Sequence, residues 1–258
     1  MDLTSKKFIK NLLKKHGVYP SKTLGQNFLI SKGILEKILD AANLKSKDVV
    51  LEIGPGIGTL TKELAKKAKQ VIAIEKDSKM IKILKETLRD LKNIELIQED
   101  ILKYDFKSQV PYKIVANLPY YITSPVLRKF LEIGSKPKEM ILMVQKEVAQ
   151  RIVASPPNMS ILAISVQFFA KPEIISFVSK NCFWPQPKVD SAILKISQIS
   201  MDLPPIDTDL FFKIVRAGFA QPRKQLVNSL SNELKLEKEK VRNWLKENEI
   251  KPERRPET

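Results

Sequence analysis

The sequence predicts an α/β protein with a mostly parallel, doubly wound sheet, followed by a small α-helical domain. Residues 59–69 and 77–92 have helical spacing, separate the first three apolar runs and are long enough to be crossover helices. The last two runs are closer together and joined by a proline-rich loop, which suits an antiparallel pair. Seven runs of apolar and β-branched residues predict the strands: residues 49–53, 71–75, 94–97, 112–116, 140–144, 174–178 and 192–196.

A change of pattern near residue 200 predicts the boundary between the two domains. Residues 202–207, DLPPID, have the composition of a linker, and residues 208–247 have helical periodicity. We therefore expect one domain over residues 1–200 and a small helical domain over residues 201–258.

The composition excludes several kinds of site. The chain has one cysteine, Cys182, and one histidine, His16, which excludes an internal disulfide, a cysteine-rich metal site and a histidine-based catalytic triad. No apolar stretch approaches the roughly 18 residues that a membrane-spanning helix needs. The N-terminal MDLTSKK lacks the apolar region of a secretory signal. We therefore expect a cytoplasmic protein without a metal or a membrane partner.

The charge of the chain favours a polyanionic partner. The formal net charge is +16. Residues 1–32 carry seven lysines and one acid, a net charge of +6, whereas residues 201–258 carry twelve basic and ten acidic side chains, a net charge of +2. Basic surfaces neutralise phosphates and release their counterions. The excess of positive charge on the N-terminal arm and the main domain therefore favours nucleic acid as the binding partner.

A glycine-rich loop follows the first predicted strand and opens the first crossover helix. It reads EIGPGIG over residues 52–58, with Glu52 two residues before Gly54 and with Gly56 two residues after it. Glycines at such positions let the backbone turn tightly and approach a ligand. An acid followed by the spacing G-x-G-x-G suits S-adenosylmethionine better than the pyrophosphate of a dinucleotide.

Two carboxylates are predicted at the ends of the next two strands. Glu75 ends the second strand, where a carboxylate can accept hydrogen bonds from both ribose hydroxyls. Asp100 is expected to end the third strand, where it could receive the amino group of an adenine. Together with the glycine loop, these acids predict S-adenosylmethionine as the cofactor.

Residues 117–120, NLPY, follow the fourth predicted strand and supply groups that suit an amine on a flat base. Asn117 Oδ1 and a backbone carbonyl can accept two N–H bonds, and Tyr120 can stack on the ring. Pro119 restricts Leu118 to an extended conformation, which gives the Leu118 carbonyl a reproducible direction. We call these four residues the NLPY segment.

Five strings occur in order along residues 8–230: LGQNFL (24–29), the glycine loop, NLPYYITSP (117–125), VQKEVAQR (144–151) and FWPQPKVDSA (183–192). Together they resemble the class I methyltransferases that modify an amine on a nucleic-acid base. More closely, the chain resembles the small-subunit ribosomal RNA adenine N6,N6-dimethyltransferases, the kasugamycin-sensitivity family.

The resemblance implies a Rossmann-like class I methyltransferase fold with a basic N-terminal arm, an RNA-binding role for the helical domain over residues 201–258, and a set of site residues. In it, Phe183 would hold a flipped adenine opposite Tyr120, and Asn27 and Leu29 would lie in an N-terminal segment over the pocket. The implied catalytic residues are Asn117, Leu118, Pro119, Tyr120 and Phe183. The implied cofactor contacts are Asn27, Leu29, Gly54, Gly56, Glu75, Asp100 and, again, Asn117.

The same resemblance implies a substrate and leaves alternatives. It implies dimethylation of two adjacent adenosines near the 3′ end of 16S rRNA in the 30S subunit by a monomeric enzyme, with a role in 30S biogenesis. One alternative is a ribosome-assembly factor in which binding matters more than catalysis. Another is a large-subunit rRNA adenine methyltransferase that confers macrolide resistance, although that group typically carries NIPY. The chain departs from the family pattern at residues 155–161 and at Pro222, near the RNA-facing surface.

Overall fold

The computed structural model of the chain, which describes residues 1–133, 135–200 and 206–258, contains a seven-stranded sheet and a separate two-stranded ribbon. Short 3₁₀ turns lie at Tyr120–Ile122 and Lys180–Cys182, and a π-helical turn at Lys129–Ile133. The strands are β1 (Phe28–Leu29), β2 (Val49–Ile53), β3 (Gln70–Glu75), β4 (Ile94–Gln98), β5 (Tyr112–Asn117), β6 (Glu139–Gln145), β7 (Lys171–Val178), β8 (Phe183–Trp184) and β9 (Ser191–Ser197). The helices are α1 (Lys6–Lys15), α2 (Lys32–Ala42), α3 (Thr59–Ala65), α4 (Ser78–Thr87), α5 (Thr123–Arg128), α6 (Lys146–Ile152), α7 (Ile161–Gln167), α8 (Thr208–Phe219), α9 (Leu226–Leu234) and α10 (Lys238–Glu247).

The large sheet has the order β4-β3-β2-β5-β6-β9-β7. Its neighbours from β4 to β6 pair in parallel, and β9 runs antiparallel to both β6 and β7. The prediction of a mostly parallel sheet with an antiparallel last strand is therefore confirmed. The order reverses between β2 and β5, and in sheets of this kind ligands bind beside the carboxyl ends of the strands at that reversal.

Each predicted strand is present, but two predicted helices are shorter than their apolar pattern. Helix α3 ends at Ala65 and α4 at Thr87, whereas the spacing predicted helix to residues 69 and 92. Ala68 and Leu88, which extend the pattern, are buried in the turns that follow each helix. Apolar periodicity reports burial, so it does not distinguish the last helical turn from a packed turn beyond it.

Helix α1 forms because its apolar and basic residues fall on opposite faces. Ser5 caps its N-terminus, with the hydroxyl accepting a hydrogen bond from the Phe8 N–H at 3.4 Å. Ile9, Leu12 and Leu13 are buried in a cluster with Ile57 of the glycine loop and Phe28, the first residue of β1. The lysines of α1 remain exposed, namely Lys6, Lys7, Lys10, Lys14 and Lys15.

The described chain divides into two compact units. The first comprises residues 1–149 and 170–199, and the second comprises residues 150–169 and 200–258. The second unit therefore includes residues 150–169, which the sequence-based boundary near residue 200 gave to the main domain. Its three C-terminal helices, α8, α9 and α10, bury an apolar cluster of Ala217, Val227, Leu230, Val241 and Leu245.

Part of the predicted linker, residues 202–205, lies outside the described residues. None of the helices in the described part of the chain has the length and the continuous apolar surface that crossing a bilayer requires.

Candidate active site

One pocket at the carboxyl ends of the parallel strands gathers the residues that the sequence predicted for the site. The glycine loop follows β2, Glu75 ends β3, and the NLPY segment begins at the last residue of β5. Asp100 was expected to end the third strand of the sheet, but that strand, β4, ends at Gln98 and Asp100 lies in the turn beyond it. The predicted residues that line the pocket are Asn27, Leu29, Gly54, Gly56, Glu75, Asp100, Asn117, Leu118, Pro119, Tyr120 and Phe183.

The glycine loop needs glycine at Gly54 and Gly56 because both have left-handed backbone angles, with φ of +67° and +59°. A Cβ at Gly54 would lie 3.6 Å from Pro119 Cδ, and one at Gly56 would lie 3.3 Å from the Phe28 ring. The loop therefore packs against both the NLPY segment and β1.

Glu75 is the carboxylate at the centre of this arrangement. Its Oε2 accepts a hydrogen bond from the Gly56 N–H at 3.1 Å, and its Oε1 accepts one from the Asp77 N–H at 2.9 Å. The side chain is 8% exposed, and this burial raises the pKa of Glu75. Two backbone donors thus fix the carboxylate while each oxygen keeps a lone pair for a ligand hydroxyl.

Asp100 has a different environment from Glu75. Its Oδ2 pairs with Lys76 Nζ at 2.8 Å, and its Oδ1 accepts a hydrogen bond from the Leu102 N–H at 3.0 Å. The hydrogen bond from Lys76 lowers the pKa of Asp100, which therefore stays ionised. Lys76 also lines the pocket, although the sequence gave no signal that this lysine would reach Asp100.

Glu52, the acid that leads the glycine loop, lines the pocket but was not among the predicted contacts. It is 2% exposed, and its Oε2 is buried without a hydrogen-bond partner among the described residues. Burial raises the pKa of Glu52 to about 8, and the nearby charge of Glu75 adds to the effect. A buried oxygen without a partner is costly unless a ligand donates to it, so Glu52 is a candidate contact.

The pocket offers no arrangement for a metal. Among the residues that the structure describes, no group of three or more His, Cys, Asp or Glu side chains could hold a metal ion.

The amide of Asn117 has a defined orientation. Its Nδ2 donates a hydrogen bond to the Asn27 carbonyl at 3.2 Å. A carbonyl oxygen can only accept, so the amide must present its NH₂ to Asn27 and its Oδ1 to the other side. The next residue is also fixed, because the Leu118 N–H donates to the Met143 carbonyl on β6 at 3.2 Å.

Two aromatic residues complete the pocket wall. Tyr120 opens a 3₁₀ turn, and its hydroxyl lies 2.7 Å from the hydroxyl of Ser191, which is fully buried. Burial raises the pKa of Tyr120, so the phenol stays protonated. Phe183 is 3% exposed and belongs to the same apolar cluster as Leu29.

The two-stranded ribbon was missed by sequence reasoning. In it, β1 pairs antiparallel with β8, so Phe28 lies opposite Trp184 and Leu29 lies opposite Phe183. This pairing brings a predicted cofactor contact, Leu29, next to the predicted adenine contact, Phe183. A two-residue strand has no periodicity to detect, and only the LGQNFL string marked the segment.

The strand order, the single antiparallel strand and the acid-lined pocket at the reversal define a class I, S-adenosylmethionine-dependent methyltransferase. The structure is similar to that of a dimethyladenosine transferase from Plasmodium falciparum, with a TM-score of 0.72 and 35% identity over 87% of this chain and 82% of that one. It is also similar to the 23S rRNA methyltransferase ErmE, with a TM-score of 0.72 and 28% identity over 90% of this chain and 96% of that one.

Similarity in sequence extends over nearly the whole chain. The family model for ribosomal RNA adenine dimethylase matches residues 20–257. A relative from Dehalococcoides mccartyi strain CBDB1, ribosomal RNA small subunit methyltransferase A, is 48% identical over 96% of this chain and 87% of its own. The protein of the same name from Clostridioides difficile strain 630 is 44% identical over 99% of this chain and 92% of its own. The chain belongs to the ribosomal RNA adenine dimethylase family.

Proposed function

We propose that the protein transfers methyl groups from S-adenosylmethionine to N6 of two adjacent adenosines near the 3′ end of 16S rRNA, giving N6,N6-dimethyladenosine. The observation that carries the proposal is one pocket with an acid-lined glycine loop on one side and the NLPY segment on the other. The two relatives described above, which are named for the small ribosomal subunit, support the choice of RNA. We further propose that the enzyme acts as a cytoplasmic monomer on the 30S subunit and contributes to its biogenesis.

The residues of the pocket fit S-adenosylmethionine. Glu52 Oε2 is a buried acceptor without a partner among the described residues, which suits the cofactor's amino group. Glu75 would accept from the ribose hydroxyls, and Asp100 would accept from the adenine amino group. The binding site would be completed by two residues before α2, two of the glycine loop and one at the end of β5: Asn27, Leu29, Gly54, Gly56 and Asn117.

In the proposed reaction, the NLPY segment orients the acceptor nitrogen. The bound cofactor supplies a methyl group that is already activated by its sulfonium. Asn117 Oδ1 and the Leu118 carbonyl accept the two N6–H bonds, which turns the nitrogen lone pair toward the cofactor side of the pocket. The new C–N bond would form as the bond between the methyl carbon and the sulfonium sulfur breaks, and the sulfur would leave as a neutral thioether. The surplus proton on the nitrogen would then pass to water, so the pocket carboxylates need not act as bases.

Tyr120 and Phe183 are proposed to hold the flipped adenine between them. Base-modifying enzymes offset the cost of unstacking their target by stacking it again on aromatic side chains. The hydrogen bond to Ser191 holds the Tyr120 ring in place, and packing beside Leu29 holds Phe183. Pro119 contributes by fixing the backbone between Leu118 and Tyr120.

Two pairs of a lysine and an aromatic ring, one on β8 and one on β7, support RNA as the substrate. Lys10 Nζ lies 5.7 Å from the ring centroid of Trp184 on β8. Lys146 Nζ lies 5.0 Å from the ring centroid of Phe177, which is 51% exposed at the end of β7. A cation beside an exposed ring can contact a phosphate while the ring stacks on a base, which is how single-stranded RNA is commonly bound.

Two experiments distinguish the proposed function from its two alternatives. The similarity to ErmE keeps the large-subunit reaction as a candidate, but the 48% and 44% identities to small-subunit enzymes exceed the 28% identity to ErmE. Undermethylated 30S particles and protein-free 23S rRNA would be incubated separately with labelled S-adenosylmethionine, and dimethyladenosine would be mapped in each RNA. We expect label at two adjacent adenosines in 16S rRNA. Label in 23S rRNA alone would favour the large-subunit reaction, and rescue of 30S maturation by a catalytically inactive variant would favour the assembly role.

A further inference from the structure

The segment of residues 21–30 contacts both sides of the pocket through consecutive residues. Gln26 Nε2 donates a hydrogen bond to Asp77 Oδ2 at 2.8 Å, and the next residue, Asn27, accepts the hydrogen bond from the Asn117 amide. Phe28 and Leu29 then pair with β8. We call residues 21–30 the N-terminal segment.

The Gln26 amide has only one orientation that satisfies both of its neighbours. Its Oε1 accepts a hydrogen bond from the Ser21 N–H at 2.8 Å, while its Nε2 donates to the carboxylate of Asp77. A backbone N–H cannot accept and a carboxylate cannot donate, so a reversed amide would lose both bonds. The bond from Nε2 has a carboxylate as its acceptor, and hydrogen bonds of this kind are strong and directional.

Asp77 connects this contact to the cofactor side of the pocket. Its Oδ1 caps helix α4 by accepting a hydrogen bond from the Lys79 N–H at 2.9 Å. Its backbone N–H donates to Glu75 Oε1, the carboxylate that is proposed to bind the ribose. Gln26 therefore binds the same residue, Asp77, whose backbone N–H holds the Glu75 carboxylate in place.

We propose that Gln26 is a positioning residue whose hydrogen bond to Asp77 holds the Asn27 carbonyl against Asn117. By holding the N-terminal segment in place, this one hydrogen bond determines both the orientation of the Asn117 amide and the positions of the cofactor contacts at Asn27 and Leu29. The inference rests on the proposed function, because it assigns Asn117 to the acceptor and Asn27 to the cofactor.

A reciprocal exchange of the two side chains tests the contact. In Gln26→Glu, the new carboxylate would lie against the carboxylate of Asp77. In Asp77→Asn, the Oδ1 of the new amide must still cap α4, so its NH₂ would lie against the NH₂ of Gln26. In the double variant, the carboxylate introduced at position 26 would accept from both the Ser21 N–H and the NH₂ introduced at position 77. The double variant therefore has the same number of hydrogen bonds at this contact and the same net charge as the parent chain. The exchange thus changes the chemistry of each partner while keeping the shapes of both side chains.

The parent chain, the two single variants and the double variant would be compared in two assays. Calorimetry would give the Kd for S-adenosylhomocysteine, and methylation of undermethylated 30S particles would give kcat and KM. We expect each single variant to weaken the Kd and lower kcat by roughly tenfold, the effect of one lost charge-assisted hydrogen bond. The double variant should return to within about twofold of the parent chain in both.

Gln70→Glu provides a matched control. Gln70 Nε2 donates to Glu95 Oε2 at 3.1 Å, so this pair has the same chemistry at the opposite end of β3, outside the pocket lining. We expect Gln70→Glu to have the same Kd for S-adenosylhomocysteine and the same kcat as the parent chain. The inference is wrong if either single variant of Gln26 or Asp77 keeps the parental Kd and kcat, or if the double variant is no better than the worse single one. Failure of the parent chain to bind S-adenosylhomocysteine or to methylate 30S particles would instead overturn the proposed function.

Discussion

The two sides of the pocket use different chemistry. The side that is proposed to bind the cofactor, called the cofactor side, consists of the glycine loop with three acids, Glu52, Glu75 and Asp100, and each acid has a shifted pKa. The side that is proposed to bind the methyl acceptor, called the acceptor side, consists of the NLPY segment and Phe183 and presents an amide, a backbone carbonyl and two aromatic rings. Acids suit the amino group and hydroxyls of a nucleoside cofactor, whereas neutral acceptors and rings suit an uncharged base.

The two sides also differ in what holds them in place. On the cofactor side, Glu75 is fixed by backbone N–H groups of Gly56 and Asp77, which lie in the loops that follow β2 and β3. On the acceptor side, Asn117 is fixed by the Asn27 carbonyl, 90 residues away in sequence, and Tyr120 is fixed by Ser191. Cofactor binding should therefore depend on the loops of the sheet, and methyl transfer should depend on contacts between distant segments.

Asn117→Ala should have the largest effect and should separate the two sides. Losing a preorganised acceptor at the reacting nitrogen should lower kcat by about a thousandfold. The Kd for S-adenosylhomocysteine should weaken only about threefold, because the acids that are proposed to bind the nucleoside are unchanged. Single-turnover methylation of 30S particles and calorimetry would measure both, with Asn232→Ala, an exposed amide on α9, as the control. Near-normal methylation by Asn117→Ala would show that this amide does not act on the acceptor.

Glu52→Gln should change the pH dependence of stability. The folded-state pKa of Glu52 is raised from 4.5 to about 8, so its stabilising contribution is complete below pH 4.5 and is lost as the pH rises toward 8. Glutamine mimics the protonated acid and does not ionise. The variant should therefore be more stable than the parent by on the order of 3 kcal/mol at pH 7, with little difference at pH 4.

Urea unfolding of the cofactor-free protein between pH 4 and 8.5 would give this difference directly. Glu63→Gln, a partly exposed acid paired with Lys66 on the helix that follows the glycine loop, serves as the control. If the curves of the parent and of Glu52→Gln run parallel across this range, Glu52 ionises normally in the folded protein and the account of its burial is wrong.

Glu75→Gln should weaken cofactor binding without removing the acceptor geometry. The NH₂ of the introduced glutamine would lie against one of the two backbone N–H donors, from Gly56 or Asp77, and it could not accept a hydrogen bond from a ribose hydroxyl. We expect the Kd for S-adenosylhomocysteine to rise by roughly 30-fold, which corresponds to about 2 kcal/mol. At saturating cofactor, kcat should fall far less than it does in Asn117→Ala. Equal losses of kcat in the two variants would mean that the two sides of the pocket do not act separately.

Lys76→Met should have the smallest effect. The Lys76–Asp100 pair occupies one oxygen of a carboxylate that is proposed to receive the cofactor's adenine. Lys76 is more than half exposed, and such ion pairs contribute little, so its removal should tighten the Kd by no more than about threefold. Lys79→Met removes a neighbouring charge outside the pocket lining and is the control. A tenfold loss of affinity would show that Lys76 itself contacts the cofactor.

Motifs at strand ends were predictable from the sequence because their neighbours in the chain determine them. The run before Asn117 became β5, and Glu75 became the last residue of β3. The same reasoning predicted that β4 ends at Asp100, but the strand ends two residues earlier, because the apolar pattern does not mark where β4 stops hydrogen bonding with its neighbour. It also gave residues 150–169 to the main domain, since a boundary made by packing leaves no mark in local composition.

The sequence by itself determined the fold class, the family and the chemical identity of the pocket's groups. Local periodicity, glycine spacing and the NLPY segment are properties of neighbouring residues, so they can be read along the chain. Only the tertiary structure decided that Gln26 meets Asp77, that Asn27 orients the Asn117 amide and that β1 pairs with β8. Those contacts join residues from 51 to more than 150 positions apart, and their free energies depend on distances and burial that folding alone creates.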